Sequence, residues 1–444
     1  MSFISNSSNI RRRMLEEIGH EDFEDLIKSI PASLRLKRPL NLADPLSEIE
    51  LVDAIQQVAG KNKKAVSNFT GGGAYDHFSP AAVDHILLRS EFYTAYTPYQ
   101  AEVSQGTLQA IYEFQTFISR LTGLPATNAS MYDGASALAE AVSLALTKTG
   151  RNEALISRSV NPFYMETVKT YLSGRKVKIK SLNIFDGSTD LEDLKAKLSE
   201  KTAAIVIQNP NFFGLLEKAS ELSAFAKEKG ALFIIVYDPI SLGVLLSPGE
   251  CGADIAVAEG QCLGIPLNFG GPYLGLFSAR QEFVRNIPGR LSGKTRDSKG
   301  RFGYVLTLQT REQHIRRERA SSNICTNQAL CALAATVYLS LLGNSGLEKI
   351  GRLCLSKAHY AASKISQLPG YKLKYNAPFF KEFVVETPVS PHRIITRLAG
   401  KGIMPGVDIG KYVTGLKGCL MIAVTEKRTR KQIDDLVFEL SKFA

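Results

Sequence analysis

Between Val66 and Ser278, short apolar runs alternate with amphipathic stretches, and this alternation narrows the fold more than any other feature of the chain. The runs are Ala154–Ser157, Val177–Ile179, Ala203–Ile207, Leu232–Tyr237, Asp254–Ala258 and Tyr273–Phe277. They are rich in Val, Ile and Ala and lack the polar alternation of a half-exposed strand, so they read as strands covered on both faces. The stretches between them, Ser79–Arg89, Thr107–Thr122, Gly134–Lys148, Leu191–Leu198 and Ser220–Lys229, read as helices. Sustained strand–helix alternation predicts an α/β domain on a mostly parallel sheet.

The flanks read differently. Met14, Leu15, Ile18, Phe23, Leu26, Ile27 and Ile30 recur at helical spacing up to Pro31, and Leu46–Val58 is a second helix closed by Gly60. Residues 1–65 are therefore expected to form a helical arm, and 66–326 the large domain. From Asn327 an apolar helix runs to Leu342, and another runs from Gly346 to about Leu368. A strand (Phe383–Glu386), a helix (His392–Leu398), a strand (Leu420–Val424) and a last helix (Arg430–Lys442) complete a smaller α+β domain over 327–444. A chain of 444 residues is long enough for two or three such units.

Composition excludes several classes. The six cysteines form no CxxC pair and lie near no histidine at zinc spacing, so reduced thiols in a cytoplasmic protein without a bound metal are expected. The most apolar stretch, Ala329–Leu342, is too short for a bilayer and reads as a buried helix. Arg11, Arg12 and Arg13 are followed at once by Glu16, Glu17, Glu21 and Asp22, which argues against a transit peptide. The net charge of +11 suits an acidic partner or simply a basic surface. No zinc-finger spacing, RNP-like aromatic run or basic heptad favours nucleic acid.

Two segments carry chemistry. Asn128–Gly134 is a polar turn leading into a helix of small residues, with Ser130, Tyr132, Asp133 and Gly134 at its head. Free N–H groups in such a turn can cradle a phosphate with help from the helix dipole, although an ordinary capped helix reads the same way. Asp238 follows the apolar run Leu232–Tyr237, at the strand end that faces the ligand crevice of α/β folds. In pyridoxal phosphate (PLP) enzymes of the aspartate aminotransferase type, an Asp in this context pairs with the pyridinium nitrogen. Order and spacing together predict that fold, fold type I. Its Schiff-base lysine should then follow the next strand, but Glu259, Gly260 and Gln261 stand there. No lysine occurs between Lys229 and Lys294. Without that amine the usual internal Schiff base cannot form. Lys294 lies in a polar run that reads as a surface loop.

Longer motifs carry a family resemblance: Gly73–Phe78, Arg89–Gln100, Gln105–Ala110, Ser130–Ala135, Phe269–Gly275, Thr310–Glu318 and Ser322–Leu330. Across nearly the whole chain these resemble the α chain (subunit 1) of glycine dehydrogenase (decarboxylating), the P-protein of the glycine cleavage system. The departures are small: Gly72 where the family usually has Ala, and Phe78 where it usually has Tyr. The resemblance implies a split enzyme in which a separate β chain carries the PLP lysine, assembled as α2β2. It implies glycine as substrate, with CO2 lost and the aminomethyl group passed to the lipoyl arm of an acidic H-protein. The missing lysine then becomes an expected feature, with Ser130, Tyr132, Asp133, Gly134, Asp238 and Glu259 a vestigial cofactor pocket. Tyr93, Thr94, Tyr96 and Tyr99 are candidates for a wall of the partner's site, either on one helical turn or, with Pro98 among them, in an extended loop. Arg311, His314, Arg316 and Arg317 could dock the carrier, or form a solvated face. Gly71–Gly73 reads as an anion cradle or a hinge, and His77 and His85 as structural histidines. Two alternatives stay open: a purely structural subunit, and a stand-alone PLP enzyme with an unrecognised lysine.

Overall fold

A computed structural model describes residues 6–62, 65–268, 270–320, 322–324 and 327–444. Phe269, Cys325 and Thr326 of the motifs above lie outside the described residues. The chain divides into two compact units, Met1–Lys63 and Lys64–Ala444.

In the first unit the apolar row from Met14 to Ile30 is not one helix. The helix Ser8–Glu17 ends before Gly19, whose φ is +76°, and Asp22 caps a separate short helix, Phe23–Leu26. A glycine that readily turns left-handed and a good capping residue three positions later outweigh the apolar periodicity. The helix Glu48–Ala59 has a full capping box from Ser47 and Glu50, and Gly60 follows it. Many apolar side chains of this unit are exposed, among them Leu34, Leu40, Leu42 and Ile49.

The second unit is built on a seven-stranded sheet. Its strands are β1 (Ala126–Thr127), β2 (Glu153–Ser157), β3 (Lys178–Leu182), β4 (Thr202–Asn209), β5 (Leu232–Tyr237), β6 (Ile255–Glu259) and β7 (Gly275–Ala279). The spatial order is β1-β7-β6-β5-β4-β2-β3. Strands β2 to β6 pair in parallel, while β7 runs antiparallel to both β6 and β1. Successive side chains go to opposite cores. Phe233, Ile235 and Tyr237 of β5 join one cluster, Ile234 and Val236 the other. That is why these runs show no polar alternation.

A four-stranded antiparallel sheet follows in the C-terminal part, in the order Lys372–Leu373, Glu382–Glu386, Cys419–Ala423, Val407–Asp408. The helix Ala329–Ile365 is long and apolar enough to span a bilayer. It breaks at Gly343 (φ 58°, ψ −172°), as expected from the gap between its two predicted halves. Ala335, Tyr338 and Leu339 pack on one side of the large sheet, and Ala358, Ala361 and Ile365 join the core of the small one.

Besides several two-residue strands, a helix and a strand pair escape the sequence reading. Pro162–Leu172 is a helix with Pro at its first position, capped by Asn161, whose Oδ1 accepts the Phe163 amide at 3.0 Å. Lys294, expected in a loop, lies on a strand instead: Leu291–Arg296 pairs antiparallel with Phe302–Thr307. Its ammonium sits 4.0 Å from the centroid of the Phe302 ring, so the polar run is stabilised across the pair rather than along it.

Candidate functional site: a cofactor pocket closed from within

In the β5–β6 register Tyr237 pairs with Ala258. The next residues, Asp238 and Glu259, therefore stand side by side at the carboxyl ends of two parallel strands, where α/β folds form their ligand crevice. The helix Gly134–Thr149 points its N-terminus at the same place. Asp133 caps it, with Oδ1 accepting the Ser136 amide at 2.7 Å and the Ser136 Oγ accepting the Asp133 amide at 3.2 Å. A Cβ on Gly134 would lie 2.3 Å from the Tyr164 hydroxyl, so the close approach needs glycine. Ser130 is buried with φ at 146°, and its Oγ accepts the Gln328 amide at 3.1 Å; Tyr132 is partly exposed. Asp133, Gly134, Asp238 and Glu259 thus come together, whereas Ser130 turns its hydroxyl to Gln328 and Tyr132 is exposed, so neither lines the space between them.

The chain's own side chains answer every charged feature of this pocket. Glu259 Oε2 accepts the Gly134 N–H at 3.0 Å, and Oε1 accepts the amides of Gln261 (3.0 Å) and Leu274 (2.9 Å). Burial pushes the Glu259 carboxyl up to about 8, against the pull of those three amides. Asp238 Oδ2 lies 2.6 Å from the Lys381 ammonium, and the lysine side chain is 2% exposed. Lys381 also reaches His77 Nε2 at 3.0 Å and lies 3.7 Å from the centroid of the Tyr75 ring. Burial alone would lower the lysine, but the attraction of Asp238 holds it above its ordinary value and keeps it protonated. Burial and the neighbouring ammonium push His77 down. Neutral His77 accepts from Lys381 at Nε2 and donates from Nδ1 to Glu426 Oε2 at 2.6 Å. Glu382 accepts the Gly72 amide at 2.8 Å and the Tyr75 hydroxyl at 2.9 Å, so the Gly71–Gly73 cradle already holds a carboxyl. Burial lifts Glu382 to about 7.

The space left over is about 40 Å³, room for water-sized occupants. PLP does not fit this pocket. The carboxylate that would face its ring nitrogen holds Lys381, the helix N-terminus that would face its phosphate holds Glu259, and no lysine lies between β6 and β7. Nor does Lys381 supply the missing amine, because it is held as an ammonium on Asp238.

Lys381, Glu382 and Glu426 lie outside the sequence reading, and His77, read as a structural histidine, is paired with Glu426. These pairs are separated by more than 300 residues, so no local spacing announces them. One signal was available: Lys381-Glu382 interrupts the apolar run Phe379–Val385, and charges inside such a run are rarely buried without partners. His77, Cys354 and Glu426 also place ligand atoms within 4.8 Å of one another, as a metal site would. The Lys381 ammonium beside His77 sets a cation against a second cation there.

The tyrosines divide. Tyr93 ends the short helix Ser90–Tyr93, and the Thr94 hydroxyl donates to the Ser90 carbonyl at 2.7 Å. Tyr96 is 80% exposed in the irregular segment that follows, and lines a cavity of about 300 Å³ with Phe92, Pro98, Arg290 and Leu333. The Tyr99 hydroxyl accepts from Arg290 at 3.1 Å. The basic run divides as well. Arg311 turns inward onto the carbonyls of Leu308, Ile287 and Gly289. His314, Arg316, Arg317 and Arg319 are exposed. Arg316 and Arg319 border a cavity of about 460 Å³ together with Arg175 and Arg285.

Residues 1–440 match the family model described as glycine cleavage system P-protein. The chain is 52% identical to the probable glycine dehydrogenase (decarboxylating) subunit 1 of Moorella thermoacetica, over 98% of each chain. It is 53% identical to the protein so named in Chlorobium limicola, over 99% of this chain and 100% of that one. A solved glycine decarboxylase (P-protein) of the glycine cleavage system, in inhibitor-bound form, superposes with a TM-score of 0.91 at 40% identity, covering all of both chains. A NifS-like protein, 13% identical, matches 85% of this chain and 98% of its own with a TM-score of 0.64, which reflects a shared fold. The expected fold type I, aspartate aminotransferase-like architecture is therefore the one this chain adopts. From the family model, the near-full-length relatives and the superposition alike, the chain belongs to the glycine cleavage system P-protein family.

Proposed function

We propose that this chain is the α subunit of a split glycine dehydrogenase (decarboxylating), one part of a multi-subunit enzyme as the relatives' designation "subunit 1" indicates. The observation that carries the reading is the closed pocket, with Lys381 on Asp238, Glu259 on Gly134 and no lysine between β6 and β7. A P-protein chain that cannot hold PLP itself needs a β subunit that does. Glycine then reacts at the partner's site, in an α2β2 assembly, and the aminomethyl group passes to the lipoyl arm of H-protein. The exposed apolar side chains of residues 6–62 offer a surface for such assembly. The five described cysteines are free thiols, in keeping with a reducing cytoplasm.

Tyr93, Thr94, Tyr96 and Tyr99 are this chain's contribution to the shared site in our reading. Tyr96, the most exposed of the tyrosines, can order against a partner while its ring excludes water and its hydroxyl donates a hydrogen bond. His314, Arg316 and Arg317, with the neighbouring Arg319, Arg175 and Arg285, form the face for the acidic carrier. Complementary charge there speeds encounter more than it tightens the complex.

The test is an absorption spectrum of the purified chain with added PLP, before and after mixing with the β chain. The expected result is no visible Schiff-base band from the chain alone, and a band with glycine decarboxylation once β is present. A band from the isolated chain would refute the reading and make this an independent PLP enzyme. Within the assembled enzyme, Tyr96→Phe is expected to lower kcat several-fold without changing assembly, as loss of one hydrogen bond of ~1 kcal/mol would. Unchanged turnover would instead favour a purely structural subunit.

A further inference from the structure

The Lys381 ammonium has three N–H bonds, and the structure gives each an acceptor: the Asp238 carboxylate at 2.6 Å, His77 Nε2 at 3.0 Å and the face of the Tyr75 ring at 3.7 Å. The acceptors come from two separate parts of the chain, and the lysine comes from a third. Asp238 follows β5, Tyr75 and His77 belong to the segment after Gly73, and Lys381 precedes the strand Glu382–Glu386 of the C-terminal sheet. His77 is itself held by Glu426, which follows the strand Cys419–Ala423, and Glu426 also accepts the Phe78 amide at 2.7 Å. A carboxylate, an imidazole nitrogen and an aromatic face around one buried position make an alkylammonium receptor, complete in its first contacts.

We propose that the pocket is a receptor for an alkylammonium ion, and that Lys381 is its internal ligand. The lysine takes the place of a bound molecule and thereby clasps the C-terminal sheet to the carboxyl end of the large sheet. The inference does not depend on the assembly proposed above, because every group it uses lies in this chain. Lys381 acts here as a positioning residue. Its contribution is recognition of a cation, which separates it from a lysine that merely fills space.

Chemical rescue in the full-length chain tests this. Lys381→Ala removes the side chain beyond Cβ, and n-propylammonium supplies the three missing carbons and the charge. The variant is expected to melt roughly 5–10 °C below the wild-type chain, as loss of one partner from a buried ion pair implies. Millimolar n-propylammonium should restore at least half of that loss, 1-propanol none of it, and neither should shift the wild-type melt. Lys381→Met, which fills the space without a charge, should lose stability and gain nothing from the amine. If Lys381→Ala does not fold alone, refolding yield gives the same reading: amine should raise it and alcohol should not. Equal responses to amine and alcohol, or a Lys381→Ala variant as stable as wild type, would overturn the proposal.

Discussion

Gly214→Ala is expected to destabilise the chain by about 4 kcal/mol or more, the largest loss for any single methyl group added near the pocket. Gly214 has φ at +86°, which costs an L residue roughly 1–2 kcal/mol before any contact is considered. The contact is worse: a Cβ here would lie 1.8 Å from the Glu382 carbonyl oxygen and 2.5 Å from its carbon. Because the obstacle is backbone, no rotamer change relieves it. Gly214 also accepts the Phe380 amide at 3.0 Å, next to a bridge between Leu215 and Phe379. The segment that carries Lys381 and Glu382 must therefore move, which pulls the ammonium from Asp238 and the carboxyl from Gly72. Gly230 is the control: its φ is +61°, but a Cβ would meet only the Arg151 guanidinium at 3.4 Å. Gly230→Ala should cost about 1 kcal/mol, mostly for backbone strain. Urea unfolding of both variants checks this, and equal midpoints would mean that the approach at Gly214 does not hold the strand in place.

The difference between these two glycines is invisible in the sequence, and it marks how far the sequence could be read. The large sheet was legible because β4, β5 and β6 are buried on both faces, so burial wrote itself into unbroken apolar runs. Asp238 and Glu259 were legible for a related reason. Each ends such a run, and parallel register brings strand ends together. The absent lysine could be read as directly, since a missing residue type needs no geometry. What fills its place could not. Lys381 is 143 residues beyond Asp238 in the chain, and His77 and Glu426 are separated by 349. Pairing at such distances is set by how two sheets dock, and no periodicity encodes that. The hairpin at Leu291–Arg296 was missed for a local reason. Its outer half, Lys294, Thr295 and Arg296, is exposed and polar, so it carries no apolar signature of a strand. The basic run from Arg311 to Arg319 was found as a cluster, but only the structure separates its inward member from the exposed ones.

That separation yields the second large expected effect: Arg311→Ala should lose about 2–4 kcal/mol of stability. The guanidinium donates to the Leu308 carbonyl at 3.1 Å, to the Gly289 carbonyl at 2.8 Å and to that of Ile287. Three acceptors from two segments are thereby tied together at a point where Leu308 has a positive φ of 52°. Truncation leaves those carbonyls short of donors and removes the packing of the side-chain stem. Burial of the guanidinium lowers its pKa, the direction expected for a cation drawn out of water and held by neutral carbonyls. Lysine should not rescue the position, because a single ammonium cannot reproduce a planar fork that reaches three carbonyls. Arg316→Ala should behave in the opposite way. Its side chain is exposed, so its melt should stay within about 0.5 kcal/mol of wild type. If the exposed arginines dock the acidic carrier, Arg316→Ala should slow aminomethyl transfer at low salt. The deficit should shrink as ionic strength passes ~0.1 M, where screening reaches down to about 10 Å. Melting curves for Arg311→Ala, Arg311→Lys and Arg316→Ala, set beside transfer rates at two salt concentrations, separate the two roles. A stable Arg311→Ala with salt-sensitive transfer would place Arg311 on the docking face instead.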